Sequence, residues 1–193
     1  MRARWLALAI LFISPAPTAA EWQIKPFVGL TFGGGTTFVD LEHAAGRPNP
    51  AVGVTGAVLG EVFGLEADLG RAPGFFQSGG HQLVLRSSVT TFTGNIIIAL
   101  PRRLTEYTLR PYFVGGAGLM RAHSEPPLGE LRVSSTLPAM DFGGGATGFL
   151  TDRVGLNWDI RRFRSFSGKL SGVSVEKEQL SFWRASMAVA IRY

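Results

Sequence analysis

The chain has 193 residues, a formal net charge of +5 and no cysteine, which excludes a disulfide framework and a lipid-anchored cysteine. The positive excess is modest and no basic run carries interleaved aromatics, so the charge does not indicate a nucleic-acid partner. The 25 glycines lie in segments with strand-like alternation and helical periodicity is absent, which favours an all-β fold.

Residues 1–20 have the pattern of a secretory signal peptide. Two arginines, at positions 2 and 4, precede an apolar run over residues 5–13, and small residues at positions 18–20 offer a cleavage point before Glu21. The run is too short to cross a bilayer as a helix, and its alternative interpretation is a buried first strand or helix. Removal of the two arginines would lower the net charge from +5 to +3. We predict a signal peptide over 1–20 and one domain over 21–193.

Eight segments of that domain alternate apolar and polar residues with the period of two that is typical of β-strands. In the first strand, Trp22 and Phe32 bound an apolar face, although Pro26 cannot donate to a ladder. The register of the fifth strand is ambiguous, because Phe113 and its neighbour Tyr112 compete for the outer face. The predicted strands are 21–32, 51–59, 63–70, 88–100, 109–120, 140–150, 154–163 and 181–193.

The last predicted strand is the most informative of the eight. One of its faces is apolar with an aromatic residue at each end, and the other is mostly small or charged. Ten residue steps of about 3.3 Å, tilted by about 40°, rise roughly 25 Å, which is the height of the lipid-facing band of an outer-membrane barrel. A strand of a soluble sandwich would also alternate. The apolar face carries Trp183, Ala185, Met187, Val189, Ile191 and Tyr193.

The connections between the predicted strands alternate between long and short, with long polar segments at 33–50, 71–86, 121–138 and 166–178. Four long outer loops and three short inner turns are the pattern of a bacterial outer-membrane barrel whose two ends lie in the periplasm. A soluble lipocalin-type barrel also has eight strands, but it does not need aromatic-bounded outward faces of constant height. We therefore predict an all-β, eight-stranded antiparallel up-and-down transmembrane β-barrel.

Three stretches carry a family resemblance: GLEADLG at 64–70, RPYFVGGAG at 110–118 and LTDRVGLNWDIR at 150–161, together with the terminal aromatic Tyr193. With these motifs the chain resembles the small eight-stranded outer-membrane barrels that include the OmpA transmembrane domain and OmpX. The resemblance implies an outer-membrane location in a Gram-negative cell envelope. It also implies that the terminal strand, with Trp183, Met187, Val189, Ile191 and Tyr193, is read by the barrel-assembly machinery. The usual last residue of the family is phenylalanine, so Tyr193 departs from it.

Several charged residues fall on the inward faces of the predicted strands. An eight-stranded barrel has an interior just wide enough for side chains, and charges confined there should pair. We predict a structural network of Glu66 and Asp68 with Arg161 and Arg184, which Asp159 joins. The alternative interpretation of these charges is a gated ion path.

The sequence carries no convincing catalytic, metal or cofactor motif. All three histidines fall in predicted outer loops, and His123 with its neighbours Ser124 and Glu125 does not resemble a catalytic triad, whose members normally come from separate segments. The His-x-Ser pattern of lipid A deacylase barrels is missing. We predict neither an enzyme nor a bound cofactor.

Arginines at the ends of predicted strands suggest a lipid partner. Arg121, Arg162 and Arg164 fall near the outer interface, where a guanidinium matches the geometry of lipopolysaccharide phosphates, or they are ordinary solvated rim charges. We predict a monomer with a structural or surface-interaction role and a polar plug. Its alternatives are a narrow channel, an envelope-lipid-modifying enzyme or a soluble periplasmic binding barrel.

Overall fold

The structure, a computed structural model, describes residues 20–36, 48–75, 86–101, 104–105, 109–125, 133–166 and 180–193. Residues 1–19 of the predicted signal peptide lie outside this part of the chain. The strands are β1 (Glu21–Thr36), β2 (Asn49–Leu59), β3 (Phe63–Pro73), β4 (Arg86–Ala99), β5 (Leu109–Glu125), β6 (Val133–Phe149), β7 (Val154–Ser165) and β8 (Leu180–Arg192). Each strand pairs with the next, and β8 pairs with β1 to close a barrel. Because every pairing is antiparallel, the predicted up-and-down topology is confirmed.

The two faces of each strand meet different surroundings, as the period of two predicts. Along β3 the burial alternates strictly, so that Phe63, Leu65 and Leu69 are exposed while Glu66 and Asp68 are buried. The structure also resolves the register of the fifth strand. Phe113, which is 72% exposed, faces outward together with Leu119, while Tyr112 and Val114 face inward.

Apolar side chains cover the outside of the barrel on all eight strands. Trp22 and Phe63 lie toward one end, and Phe142 and Trp183 toward the other, where their rings meet edge to face with centroids 6.4 Å apart. An apolar exterior around a polar interior is the reverse of a water-soluble barrel and fits a lipid bilayer. No described helix is long and apolar enough to cross a membrane.

The two ends of the barrel differ. One end of the barrel, here called the turn end, carries both ends of the described domain and the tight turns at 60–62 and 151–153. The turn at Gly60 closes with a 2.8 Å hydrogen bond that its N–H donates to the Phe63 carbonyl. The opposite end, here called the loop end, carries three connections longer than any at the turn end, as the sequence predicts, but the β5–β6 connection there, 126–132, is shorter than 100–108 at the turn end.

Several residues predicted as loop are strand. The prediction that residues 33–50 form a loop is wrong for 33–36, which continue β1, and for 49–50, which begin β2. Residues 35 and 36 pair with β8 after a bulge at which Gly33 takes a φ of 57°. Residues 71–73 likewise continue β3. The largest difference is in the segment 121–138, where 121–125 and 133–138 extend the β5–β6 hairpin through pairs such as Arg121 with Thr136. A ladder needs only backbone groups, so polar side chains can continue it beyond the membrane, where apolar alternation no longer marks it.

The interior has a polar centre and also apolar regions at both of its ends, which the prediction of a polar plug did not include. At the loop end the rings of Phe163 and Phe182 stack with centroids 5.2 Å apart, and Phe75 packs edge-on against Phe182 at 5.0 Å. These rings belong to a buried cluster, here called the loop-end cluster, that also contains Ala51, Ala72, Val89, Met120, Ala122, Ala139 and Leu180. A smaller cluster lies at the turn end on β2, β4 and β5: Ala57, Leu59, Ile97, Ala99, Tyr112 and Val114.

Candidate functional site

The candidate site is the polar centre of the barrel, between the two apolar clusters. Its charged side chains lie on strands whose inward positions recur every second residue, which places Glu66 and Asp68 together on β3 and Asp159 and Arg161 together on β7. Since β3 and β7 are four strands apart in a barrel of eight, contacts between them cross the lumen.

Arg161 forms the centre of the first group of contacts. Its Nη1 donates to Glu66 Oε1 at 2.5 Å, while its Nε and Nη2 donate to the two oxygens of Asp159 at 2.7 and 2.9 Å. The forked guanidinium thus binds one carboxylate on its own strand and one across the lumen. Glu66 also accepts hydrogen bonds from Lys25 Nζ at 3.4 Å and Asn95 Nδ2 at 3.1 Å.

Arg184 forms the second group. Its two terminal nitrogens donate to the two oxygens of Asp68 at 3.0 and 2.8 Å, and Thr55 donates to Asp68 at 3.0 Å. The guanidinium carbon of Arg184 lies 4.4 Å from the ring centroid of Phe27 and 4.8 Å from that of Phe163. This cation therefore joins the ionic centre to the loop-end cluster through aromatic faces.

The structure thus brings Glu66, Asp68, Asp159, Arg161 and Arg184 into two adjoining ionic groups. Sequence reasoning did not identify Tyr112 or Asp141 as members of the site. Tyr112 donates to Asp159 at 2.8 Å and accepts from Asn157 at 3.0 Å, and the ambiguous register of the fifth strand concealed its inward direction. Asp141 lies between the apolar residues Met140 and Phe142. The apolar–polar alternation that identified the other inward acids could therefore have identified Asp141 as well.

The three rim arginines do not form one patch. Arg162 and Arg164 lie two residues apart on β7, whereas Arg121 is two strands away and lies within β5 instead of following it. On the intervening β6, the partner of Arg121 is Thr136 and that of Arg164 is Met140. This offset of four residues corresponds to about 13 Å along the strand.

Arg162 has the best-defined surroundings of the rim arginines. Its guanidinium carbon lies 5.5 Å from the ring centroid of Trp183, and it donates to Ser181 Oγ at 3.0 Å and to the Gly33 carbonyl at 3.3 Å. These contacts hold the side chain on the outer face of the barrel, at the aromatic residues near the loop end.

The terminal strand β8 closes the barrel. It pairs with β1 on one side and β7 on the other, and Met187 and Val189 are exposed on its outer face. The backbone N–H of Tyr193 donates to the Trp22 carbonyl at 3.0 Å, so the last residue lies beside the first strand at the turn end.

Two further features bear on function. At the turn end, a cavity of about 390 Å³ opens between Glu21, Arg110, Phe149 and Arg192. Of the histidines, His123 lies in β5, while His43 and His81 lie outside the described residues. In the described part of the chain, no group of three or more histidine or acidic side chains is arranged to hold a metal ion.

Comparisons with known proteins show similarity in structure and none in sequence. The chain matches no protein-family model, and no characterised protein matches it in sequence. It is similar in structure to Neisserial surface protein A, at 12% identity and a TM-score of 0.60 over 90% of this chain and 97% of that one. It is also similar to OprG from Pseudomonas aeruginosa, at 14% identity and a TM-score of 0.53 over 91% of this chain and 96% of that one.

A third similar structure is the N-terminal β-barrel domain of Pseudomonas aeruginosa OprF, at 13% identity and a TM-score of 0.52 over 90% of this chain and 97% of that one. At these identities the comparison establishes the fold. The apolar outer surface independently requires a lipid bilayer around the barrel. The chain therefore has the fold of the small eight-stranded outer-membrane β-barrels, and its apolar surface is the surface that such a barrel presents to the outer membrane.

Proposed function

We propose that this chain is a closed, non-conducting barrel of the outer membrane with a structural or surface-interaction role and no enzymatic activity. The observation that supports the proposal is the packing of side chains across the interior. Phe75, Phe163 and Phe182 fill the lumen at the loop end, and the ion pairs of Arg161 and Arg184 span it below them.

A conducting path would require both obstacles to open. The three rings are at most 2% exposed and pack on each other, and such an apolar layer opposes the passage of a hydrated ion. The guanidinium groups beneath them are held by two or three charge-assisted hydrogen bonds each. A side-chain plug explains these features better than a gate.

The extended β5–β6 hairpin supports a surface role. Its ladder continues from the last pair with β7, at Ala139, to Val133, which is about 20 Å along the strand. A similar structure, of the attachment invasion locus protein of Yersinia pestis, was determined in complex with a heparin analogue, at 11% identity and a TM-score of 0.51 over 89% of this chain and 99% of that one. We propose that the hairpin presents a protein surface outside the membrane.

We also propose two envelope partners. Lipopolysaccharide phosphate would bind to Arg162 and Arg164 on β7, where Trp183 orients the first guanidinium at the outer interface. The barrel-assembly machinery would read the terminal strand, whose outward side chains include Met187, Val189 and Tyr193. We propose that the barrel works as a monomer.

Two measurements test the sealed-barrel proposal. Cell fractionation should place the full chain in the outer membrane with a band that shifts on boiling, and a chain lacking Tyr193 should assemble less. The purified barrel in planar bilayers should produce no single-channel steps under conditions in which a sixteen-stranded porin, which has an open aqueous lumen, conducts. Regular conductance steps from the folded barrel would contradict a plug.

The lipid contact has its own test. The unfolding midpoint of the barrel should be higher in bilayers that contain lipopolysaccharide than in phospholipid alone, and Arg162→Leu should reduce that difference. Arg153→Leu, which removes an exposed arginine at the turn end, is the matched control and should retain it. Equal dependence on lipopolysaccharide in both variants would contradict the proposed contact.

A further inference from the structure

The charges at the centre of the barrel do not balance. Among the residues that the structure describes there, the carboxylates outnumber the cations by four to three, so one negative charge remains. All seven side chains belong to residues that are at most 7% exposed, so bulk water does not offset the difference. The acids are Glu66, Asp68, Asp141 and Asp159, and the cations are Lys25, Arg161 and Arg184.

Asp141 is the carboxylate left without a partner of its own. Its contact with a cation is a long one, 3.6 Å from Oδ2 to Arg161 Nη1, and that nitrogen already binds Glu66 at 2.5 Å. The other nitrogens of Arg161 bind Asp159. Among the described residues, no donor meets full hydrogen-bond geometry at either oxygen of Asp141, although the residue is only 2% exposed, and the Thr93 hydroxyl is the donor directed toward it.

Two other buried oxygens on the same wall of the barrel are also unpaired. They are Thr93 Oγ1 and Asn95 Oδ1, both on β4. In the sheet register Asn95 pairs with Gly116 of β5, and Gly116 pairs with Asp141 of β6. Asn95 and Asp141 therefore lie on either side of Gly116, which has no side chain. Asn95 Oδ1 leans over the Gly116 backbone, where a Cβ would lie beside it, and the Thr93 hydroxyl is directed toward Asp141, so oxygen atoms of all three side chains face this part of the lumen.

We propose that Asp141, Thr93 and Asn95 form a binding site for one monovalent metal cation, Na⁺ or K⁺, inside the barrel. One positive charge offsets the single unbalanced carboxylate, whereas a divalent ion would reverse the imbalance. Carboxylate, hydroxyl and amide oxygens are the ligands of hard cations. A proton on Asp141 would also neutralise it, but its single O–H can donate to only one of the oxygens of Thr93 and Asn95 and would leave the other without a partner. Arg184 Nε is an unpaired donor in the same centre, to which a water molecule that accompanies the cation can bind.

The test is the thermal unfolding midpoint of the purified, folded chain in detergent, measured at constant ionic strength with Na⁺, K⁺ or N-methylglucamine as the sole cation. N-methylglucamine is too large for the site. At a cation concentration about 100-fold above the dissociation constant, the midpoint of the wild type should be about 5 to 10 °C higher in the small cation. The rise should saturate with concentration.

Asp141→Asn should abolish the difference between small and large cations, while Asp152→Asn, which removes an exposed carboxylate in the turn after β6, should retain it. If Asp141→Asn does not fold, Thr93→Val keeps the carboxylate and should weaken the dependence. A wild-type midpoint that is the same in all three cations overturns the proposal. Cation dependence that persists unchanged in Asp141→Asn or Thr93→Val also overturns it.

Discussion

Replacement of Arg161 by methionine should be the most damaging single change in the barrel centre. Methionine has a similar length and keeps the packing of the arginine stem, but it removes the cation shared by three buried acids. Glu66 and Asp159 lose hydrogen bonds of 2.5 to 2.9 Å, and Asp141 loses the contact at 3.6 Å. The remaining cations, Lys25 and Arg184, would face four carboxylates.

The magnitude follows from the burial of these groups. Arg161 is 2% exposed and its acidic partners are at most 7% exposed, so solvent screening does not weaken the contacts as it does at a surface. Removal of one partner of a buried ion pair costs about 3–5 kcal/mol, mostly because a buried charge remains without compensation. We expect Arg161→Met to lose about that much unfolding free energy.

Reversible urea unfolding in lipid bilayers, followed by tryptophan fluorescence, measures this loss. Arg164→Met on the outer face of the same strand is the matched control and should change the unfolding free energy by less than about 1 kcal/mol. Because uncompensated charge is the expected cause, the combination of Arg161→Met with Glu66→Gln and Asp159→Asn should recover part of the loss. A loss below about 1 kcal/mol for Arg161→Met, or no recovery in the combined variant, would refute this account of the centre.

Three other changes test the exterior, the loop-end cluster and a close approach inside the barrel. Val28→Arg, on the lipid-facing side of β1, should cost about 2–4 kcal/mol in bilayer unfolding, and a cost near zero would contradict the membrane position of this face. Phe163→Ala should cost about 3–5 kcal/mol, because the buried ring stacks on its neighbours, and full wild-type stability would contradict the packing of the cluster. Gly70→Ala should cost about 1–3 kcal/mol, because a Cβ there would lie 2.5 Å from Arg184 Nη1, whereas Gly56→Ala meets nothing within 4 Å and should be neutral in the same urea titration. Equal effects of the two glycine substitutions would contradict the tight fit around Arg184.

The alternation of residue types accounts for what could be predicted about the faces. A strand turns successive side chains to opposite sides, so the placement of Glu66 and Asp68 opposite Leu65 and Leu69 was already implied by their order. The prediction was weakest where apolar and polar residues do not alternate clearly. In β5, apolar residues on both faces left the direction of Tyr112 open, and the partners supplied by β4 and β6 decided it.

The extension of the sheet by polar residues beyond the membrane was also not predicted. Residues 121–125 and 133–138 carry no apolar alternation, because a strand beyond the bilayer has no lipid-facing side to mark. Their pairing depends on backbone hydrogen bonds between two segments that leave the membrane side by side. The pairing is therefore decided by the assembled hairpin, and the residue types in the two segments do not indicate it.

By itself, the sequence determined the number of strands, their order and, outside β5, which side chains face lipid or lumen, because these depend on a local period and on the lengths of the connections. Only the tertiary structure decided the partners inside. Strand tilt and barrel closure brought Arg161 of β7 to Glu66 of β3 and stacked Phe163 on Phe182. Among the described carboxylates of the centre, they also left Asp141 without a close cation partner, since the nearest guanidinium was already occupied. Pairing across a lumen depends on distances between strands that are remote in the chain, and no local pattern encodes them.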